Sequence, residues 1–118
     1  VQVFGSDWPT PDGTCIRDYI HVSDLADAHV QSLDYLNEEN QKHMIFNVGT
    51  GSGSSVLEVV KALSEVVGQE IEVTRVERRA GDPAALAADV SRINREMSWQ
   101  AKHNLLDIVQ SAYQASLN

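Results

Sequence analysis

The stretch PTPDGTCIRDYIHVSDLADAHV, residues 9–30, combines three kinds of structural signal in this 118-residue chain. Two prolines and the pair Asp12-Gly13 predict a turn near its start. The β-branched and aromatic residues that follow predict an extended segment over residues 16–22. Ser23 is of a type preferred as a helix cap, and it predicts a helix over residues 24–36. A turn, an extended segment and a helix therefore follow one another within this one stretch.

Three further helices are predicted beyond it. Each has a serine or asparagine cap, and the first also has the capping-box spacing of Ser55 and Glu58. Gly68 is a typical stop residue for that first helix. The predicted helices begin after Ser55, Ser91 and Asn104 and end near Val67, Met97 and Leu117.

Short apolar or alternating runs predict three strands, over residues 1–4, 44–48 and 71–76. Residues 84–89 fit either a strand or a helix, and residues 37–42 are expected to be a polar loop. Trp99 is expected to fill the core. Together these elements predict a single domain of mixed α/β fold, residues 1–118.

Composition excludes several classes of protein. Hydrophobic residues make up 42% of the chain and charged residues 22%, which is typical of a globular domain. No apolar run is long enough to cross a bilayer, so no membrane segment is predicted. The formal net charge of −8 disfavours nucleic-acid binding, which requires a basic surface. The histidines and the single Cys15 lack the spacing of a metal site, and one cysteine cannot form an internal disulfide.

The chain opens at Val1, without an initiator methionine, on a predicted strand. A strand inside a fold pairs with neighbouring strands, and the strands predicted for this chain do not supply all of these neighbours. We therefore expect the chain to be a fragment of a longer protein.

A glycine-rich run, GTGSG at residues 49–53, lies between a predicted strand and a predicted helix. This order outlines a dinucleotide-binding unit, and Glu70 or Glu72 follows at a suitable distance. The fingerprint G-x-G-x-x-G itself fails, because Ser54 occupies the position of its third glycine. The alternative is a flexible connection into the helix.

Arginines stand in two separate segments, at Arg17 and in RRAGD, residues 78–82. A guanidinium group presents a planar fork that suits phosphate oxygens, and a nearby carboxylate can accept hydrogen bonds from sugar hydroxyls. Such an arrangement would suit a nucleoside diphosphate. The alternative is that Arg17 pairs with Asp18 or Asp24 while the two neighbouring arginines lie in a solvated loop.

Four landmarks, in one order, resemble the UDP-glucose 4-epimerase family of the extended short-chain dehydrogenases. They are TPDGT-x-IRDYIHV-x-DLA-x-AH at residues 10–29, FNVGTG-x-G-x-SV at 46–56, RRAGDPA at 78–84, and a helix over 91–99 that ends in tryptophan. The resemblance covers nearly the whole chain. It implies the small mixed α/β substrate-binding domain of such an enzyme, which is its carboxy-terminal part, without the amino-terminal Rossmann domain.

The resemblance also implies a site for the nucleotide. Arg17 and Arg79 match arginines that hold the UDP diphosphate, and Asp82 matches the acid that binds the ribose hydroxyls. Leu86 matches the position that sets the room around the sugar, where a large aromatic excludes N-acetylated sugars and a small residue admits them. Leucine is intermediate in size.

Other matches concern the uridine end and the scaffold. The backbone at Phe4, with Gln2 beside it, matches the segment that meets the uracil, and Val56 matches an apolar residue against the nucleoside. Ordinary core packing is the alternative for Phe4 and Val56. Packing and hydrogen-bonding roles, rather than chemistry, are implied for three signature residues, Asp18, Tyr19 and His21.

By the same resemblance, the parent enzyme interconverts UDP-glucose and UDP-galactose by NAD-dependent inversion at C4, as a cytoplasmic homodimer of galactose metabolism. The family's Tyr-x-x-x-Lys pair is absent, because Tyr19, Tyr35 and Tyr113 are followed four residues later by Ser23, Glu39 and Leu117. We therefore expect NAD and the catalytic residues on the missing domain, and no activity from this chain alone. The alternatives are another nucleotide-sugar epimerase or dehydratase of the superfamily, and a freestanding UDP-binding module without catalysis.

Overall fold

A computed structural model describes residues 1–38 and 43–117 of the chain. The helices in these ranges are α1 Val22–Glu38, α2 Val56–Val67, α3 Ser91–Met97 and α4 Leu105–Ser116. The strands are short: β1 Gln2–Phe4, β2 Ile16–Arg17, β3 Ser54–Ser55, β4 Thr74–Val76 and β5 Ala85–Leu86. The predicted mixed α/β class is confirmed.

The strands form two small sheets. In one sheet β1 pairs with β4 in parallel, so that Phe4 lies opposite Val76. In the other sheet β2 lies between β3, which is antiparallel to it, and β5, which is parallel to it. Arg17 on β2 is therefore opposite Ser54 on one side and Leu86 on the other.

Side-chain caps begin α2 and α4 where the sequence predicts them. The Ser55 hydroxyl accepts a hydrogen bond from the Glu58 backbone N–H at 3.1 Å, and the Glu58 carboxylate accepts one from the Ser55 N–H at 2.7 Å. Asn104 and Asp107 form the same reciprocal pair at the start of α4. Gly68 ends α2 with φ of 75°, a left-handed conformation that glycine adopts without a steric penalty.

The predicted cap of α1 is wrong, because the helix begins at Val22 and Ser23 lies inside it. The imidazole of His21 takes the capping place, and its Nδ1 accepts a hydrogen bond from the Ser23 N–H at 3.0 Å. An imidazole nitrogen can accept the same bond as a serine hydroxyl, although histidine is not a usual capping type. Residues 37 and 38 of the expected loop are helical, and residues 39–42 lie outside the described part of the chain.

The strand expected over residues 44–48 is also wrong, since this segment is neither helix nor strand. A strand requires a hydrogen-bonded partner strand. Here side chains make hydrogen bonds instead of a partner strand. The Ile45 carbonyl accepts from the Arg92 side chain, and the Asn47 side chain donates to the Asp89 carbonyl.

Two other boundaries differ from the sequence expectations. Ser91 is the first residue of α3 rather than its cap, and the Asp89 carboxylate accepts a hydrogen bond from its N–H at 3.0 Å. The extended runs predicted over residues 16–22 and 71–76 are strand only at β2 and β4, and the ambiguous residues 84–89 contain β5. Strand ends depend on where a partner strand stops, which local sequence does not show.

Trp99 lies in the core as predicted, with only 1% of its surface exposed. It packs with Ala28 of α1 and Ile93 of α3 in one apolar cluster. Half-buried apolar side chains pack around this cluster: Ile20, Phe46, Val48, Val90, Met97 and Ala101. The core therefore joins α1 to α3, while α2 packs against α4.

Asp24 ties the start of α1 to the segment that precedes α4. The residue is 3% exposed, and its carboxylate accepts hydrogen bonds from the N–H groups of Lys102 at 3.1 Å and His103 at 3.0 Å. It also contacts Nδ1 of His103 at 2.9 Å. Burial raises the pKa of Asp24, but the hydrogen bonds outweigh burial and hold that pKa below its usual range.

Replacing Asp24 with alanine is expected to lower the free energy of unfolding by about 2–4 kcal/mol, because buried N–H groups lose their acceptor. Asp34→Ala on the exposed side of α1 is the matched control and should cost less than about 0.5 kcal/mol. Urea unfolding followed by circular dichroism measures both values. Equal losses in the two variants would contradict the role of Asp24.

The lowered pKa also makes this contribution depend on pH. The ordinary value is 3.8 and the folded value lies below it, so the stabilisation is present above about pH 4 and is lost as pH falls through the folded pKa. The wild-type protein should therefore lose more stability than Asp24→Asn between about pH 5 and pH 2. Parallel pH profiles for the two proteins would argue against it.

Candidate functional site

Arg17 stands in the centre of the three-stranded sheet, and its side chain is 24% exposed. Its Nη1 donates to the carbonyl oxygens of Ile16 at 2.7 Å and Pro83 at 2.9 Å. Its Nη2 lies 3.5 Å from the carboxylate of Asp82. The alternative in which Arg17 pairs with Asp18 or Asp24 is therefore wrong, and the guanidinium is held between two carbonyls and Asp82.

Asp82 and Arg79 belong to one tight turn, in which the Asp82 N–H lies 3.4 Å from the Arg79 carbonyl. Gly81 in this turn has φ of 86°, which favours glycine. The guanidinium carbon of Arg79 is 3.7 Å from the centroid of the Phe4 ring, a cation–π contact. The turn thus connects the arginine that covers Phe4 to the carboxylate that faces Arg17.

The remaining predicted residues lie on the elements around these two arginines. Gln2 is exposed and Phe4 is half-buried on β1. Val56 opens α2, and its N–H donates to the carbonyl of Cys15 at 3.1 Å, which places it beside β2. Leu86 is 60% exposed and lies opposite Arg17 in the sheet.

A groove of about 550 Å³ lies between β2, β5 and residues 46–48. Arg17 and Leu86 both line it, so a basic residue and an exposed apolar residue border the same space. A second pocket of about 250 Å³, between α1 and α3, has a mainly apolar lining that includes Ala28 and Ile93. Because an anionic ligand needs a cationic partner, the groove beside Arg17 is the better candidate site.

Asp18 fills the loop formed by the glycine-rich run. Its Oδ1 accepts from the N–H and hydroxyl of Thr50 at 2.8 and 2.6 Å, and its Oδ2 accepts from the N–H groups of Gly51 at 3.0 Å and Ala88 at 3.1 Å. Burial raises the pKa of Asp18, but these bonds outweigh burial and keep that pKa below its usual range. A Cβ at Gly49 would lie 2.5 Å from Oδ2, so glycine is needed there.

The hydrogen bonds to the Asp18 carboxylate argue against a dinucleotide-binding loop at residues 49–53. The N–H groups of Thr50 and Gly51 would have to face a phosphate in a dinucleotide loop, but they already donate to Asp18. The loop therefore offers no free cradle for a phosphate group. Asp18, which follows β2, instead holds this loop and the segment after β5 together.

A cluster of Asp7, Trp8 and Arg78 was not predicted from the sequence. The Nε of Arg78 donates to the Asp7 carboxylate at 2.7 Å, and this hydrogen bond lowers the pKa of Asp7. The guanidinium carbon of Arg78 lies 4.0 Å from the centroid of the Trp8 ring. Arg78 and Arg79 lie in an exposed loop, as the solvated-loop alternative expected, and both also stack on aromatic rings. Paired arginines and paired aromatics were visible in the sequence, but the contact between β1 and β4 was not.

Across residues 1–38 and 43–117, no helix is long and apolar enough to cross a membrane. The same ranges contain no group of three or more histidine, cysteine, aspartate or glutamate side chains placed to hold a metal ion. His21 and His103 instead stack on each other, with ring centroids 4.2 Å apart, and Nε2 of His21 bonds to the Ser111 hydroxyl at 2.8 Å.

Known proteins resemble this chain in sequence along nearly all of it. A family model described as GDP-mannose 4,6 dehydratase matches residues 2–112. A UDP-glucose 4-epimerase of Azospirillum brasilense is 52% identical over 113 residues, which are 95% of this chain and 32% of the relative. The chain thus spans about a third of the length of the curated relatives that it matches.

Solved structures resemble the chain in fold. The UDP-glucose 4-epimerase of Stenotrophomonas maltophila, with bound NAD and formylated UDP-arabinopyranose, gives a TM-score of 0.91 at 44% identity, over 99% of this chain and 35% of that one. The enzyme of Bifidobacterium longum, in complex with NAD+ and UDP, gives 0.90 at 43% identity, over 98% and 35%. The fold described above therefore corresponds to about a third of each of these structures.

Replacing Asp18 with alanine is expected to speed amide hydrogen exchange at Thr50, Gly51 and Ala88, because their N–H groups lose the carboxylate that accepts from them. The rate at Ser91 should not change. Asp89→Ala is the matched control, since it should speed exchange at Ser91 alone. Unchanged exchange at all three sites in Asp18→Ala would show that Asp18 does not hold the loop.

Proposed function

Because the chain belongs to the UDP-glucose 4-epimerase family, we propose that it anchors the UDP part of a UDP-hexose during NAD-dependent epimerisation at C4. Arg17 is the observation that carries the proposal: two carbonyls fix its Nη1, and its side chain lines the groove. A guanidinium held in this way loses little conformational freedom when it binds phosphate oxygens. The neighbour from Bifidobacterium longum, solved with UDP, supports this class of ligand.

In the proposal, Arg17 and Arg79 bind the diphosphate. Arg17 replaces its long contact with Asp82 by contacts with phosphate oxygens, which leaves the Asp82 carboxylate available for the ribose hydroxyls. Arg79 keeps the face of its guanidinium on the ring of Phe4 and donates from its free edge to the same diphosphate. In a chain of formal charge −8, these guanidinium groups supply the local positive charge that an anionic ligand requires.

The uridine and the sugar are assigned to opposite ends of this arginine pair. Gln2, Phe4 and Val56 are proposed to contact the uridine, since they lie on β1 and at the start of α2. Leu86 is proposed to face the sugar, because it lines the groove beside Arg17 and is 60% exposed. The groove lining does not include Phe4 or Arg79, so the two ends are spatially separate.

The chain's part in the reaction is binding and orientation. UDP does not react, so the free energy of its binding can hold the hexose at the reacting groups while the sugar stays free to turn. NAD, which in the proposal is held by the rest of the longer protein, supplies hydride transfer to and from C4. UDP-glucose and UDP-galactose are the proposed substrates of the longer protein, and a homodimer is its proposed form. The chain alone, which has no Tyr-x-x-x-Lys pair, is proposed to bind UDP without epimerising it.

Arg17→Ala and Arg79→Ala should each weaken UDP binding by about 1.5–3 kcal/mol, the range of hydrogen bonds to charged groups. Arg95→Ala is the matched control, because Arg95 on α3 is 69% exposed and lies outside the groove. Isothermal titration calorimetry with UDP measures all three variants. Unchanged affinity in both Arg17→Ala and Arg79→Ala would refute the proposed function.

A UDP-pentose is the second candidate substrate. It is favoured by the similar Stenotrophomonas maltophila enzyme, which was solved with formylated UDP-arabinopyranose. The full-length protein should turn over UDP-glucose with a higher kcat/KM than UDP-arabinopyranose if the hexose is the substrate, and the reverse order would favour the pentose.

Leu86→Tyr should reduce activity on UDP-N-acetylglucosamine more than on UDP-glucose, because the larger side chain takes room beside the sugar. Equal reductions would remove Leu86 from the sugar pocket.

A further inference from the structure

We propose that Arg78 is a positioning residue for Arg79, and that its contacts with Asp7 and Trp8 latch the loop after β4 onto the turn after β1. The inference rests on the proposed function, because it concerns how the UDP-binding Arg79 is aimed. Arg79 would touch the phosphate groups, whereas Arg78 acts through its neighbour. These three residues, Asp7, Trp8 and Arg78, are called the latch below.

The latch is built from three kinds of contact at one guanidinium. Nε of Arg78 donates to the Asp7 carboxylate at 2.7 Å, and Nη2 donates to the Asp7 backbone carbonyl. The flat face of the same guanidinium lies 4.0 Å from the centroid of the Trp8 ring. Contacts in the plane and on the face together leave the guanidinium a single orientation.

The turn after β1 is shaped to receive Arg78. Gly5 has φ of 82°, and a Cβ there would lie 2.3 Å from the Trp8 Nε1 and 2.8 Å from the Arg78 Cγ. The Gly5 N–H donates to the Val76 carbonyl at 2.9 Å, which brings the end of β4 alongside. The side chains of Trp8 and Arg78 therefore pack directly against Gly5, where a side chain would not fit.

The latch also reaches the ring on which Arg79 rests. Nε1 of Trp8 donates to the Phe4 carbonyl at 3.3 Å, so Trp8 holds the backbone of the residue that Arg79 covers. Two adjacent arginines therefore stack on two aromatics from one segment, Arg78 on Trp8 and Arg79 on Phe4. With Arg78 committed to Trp8, Arg79 is directed to the other ring.

The exposure of the latch side chains indicates that the latch positions Arg79 and adds little to the stability of the fold. The side chain of Arg78 is 39% exposed and that of Asp7 is 75% exposed. Ion pairs this open to water contribute little to the free energy of unfolding. The consequence of the latch is the direction of Arg79 rather than the folding of the chain.

The test is a double-mutant cycle in the full chain, with UDP and uridine as the two probes. Arg78→Ala should weaken UDP binding about three- to tenfold, a range typical of coupling between neighbouring residues. Uridine carries no phosphate, and Trp8 keeps its bond to the Phe4 carbonyl in this variant, so uridine affinity should not change. In an Arg79→Ala background, Arg78→Ala should cause no further loss for UDP. Asp7→Asn, which keeps the size of the side chain, should reproduce a smaller part of the effect, and Arg95→Ala is the control.

Several outcomes would overturn the proposal. Losses that add in Arg78→Ala/Arg79→Ala would show that Arg78 binds independently, and an equal loss for uridine would show a general distortion. Unchanged UDP affinity in Arg78→Ala, beside a loss in Arg79→Ala, would refute the latch and leave the proposed function standing. Unchanged UDP affinity in both Arg17→Ala and Arg79→Ala would refute the proposed function and the latch with it.

Discussion

Three carboxylates spaced six residues apart, Asp12, Asp18 and Asp24, connect residues 9–30 to the rest of the chain. Asp12 accepts from the hydroxyl of Ser55 at the start of α2, Asp18 from the glycine-rich loop, and Asp24 from the segment before α4. Burial raises the pKa of each carboxyl, yet the hydrogen bonds lower all three. Because bonds to an ionised acceptor are strong and a buried acceptor without donors is costly, each carboxylate fixes one distant segment.

These polar connections matter because the apolar core is small. Among the described residues, Ala28, Ile93 and Trp99 form one buried cluster, and the other buried apolar residues are Val3, Cys15, Val60, Ala62 and Val109. Helix α1 leaves Val22 and Leu33 exposed. Hydrophobic burial is not directional, so a helix with apolar residues on more than one face is not oriented by burial alone. Two residues on the buried side of α1 supply that orientation. Asp24 does so through its hydrogen bonds, and Ala28 does so through its contact with Trp99.

The candidate site follows from the same framework. β2 carries Arg17 immediately before Asp18, so the strand that presents the guanidinium is joined to the carboxylate that holds the glycine-rich loop and the segment after β5. Arg79 has a different environment, since it rests on Phe4 in the other sheet. One arginine is held by carbonyl groups and the other by an aromatic ring, so a ligand bound as proposed would meet two cations that are held in different ways.

The fold class, the start of α2 and α4, the stop at Gly68 and the burial of Trp99 could all be predicted from the amino-acid sequence. These features rest on local bonds between residues three or four apart, or on a large apolar side chain, and both can be recognised without distant partners. Tertiary contacts were needed to show that His21 caps α1, that residues 44–48 form no strand, that Arg17 faces Asp82, and that two arginines stack on Phe4 and Trp8. Each of these depends on which distant group comes within hydrogen-bond or stacking distance. That choice is set by strand pairing and helix packing, because a polar side chain has several possible partners along the chain and only the fold selects one.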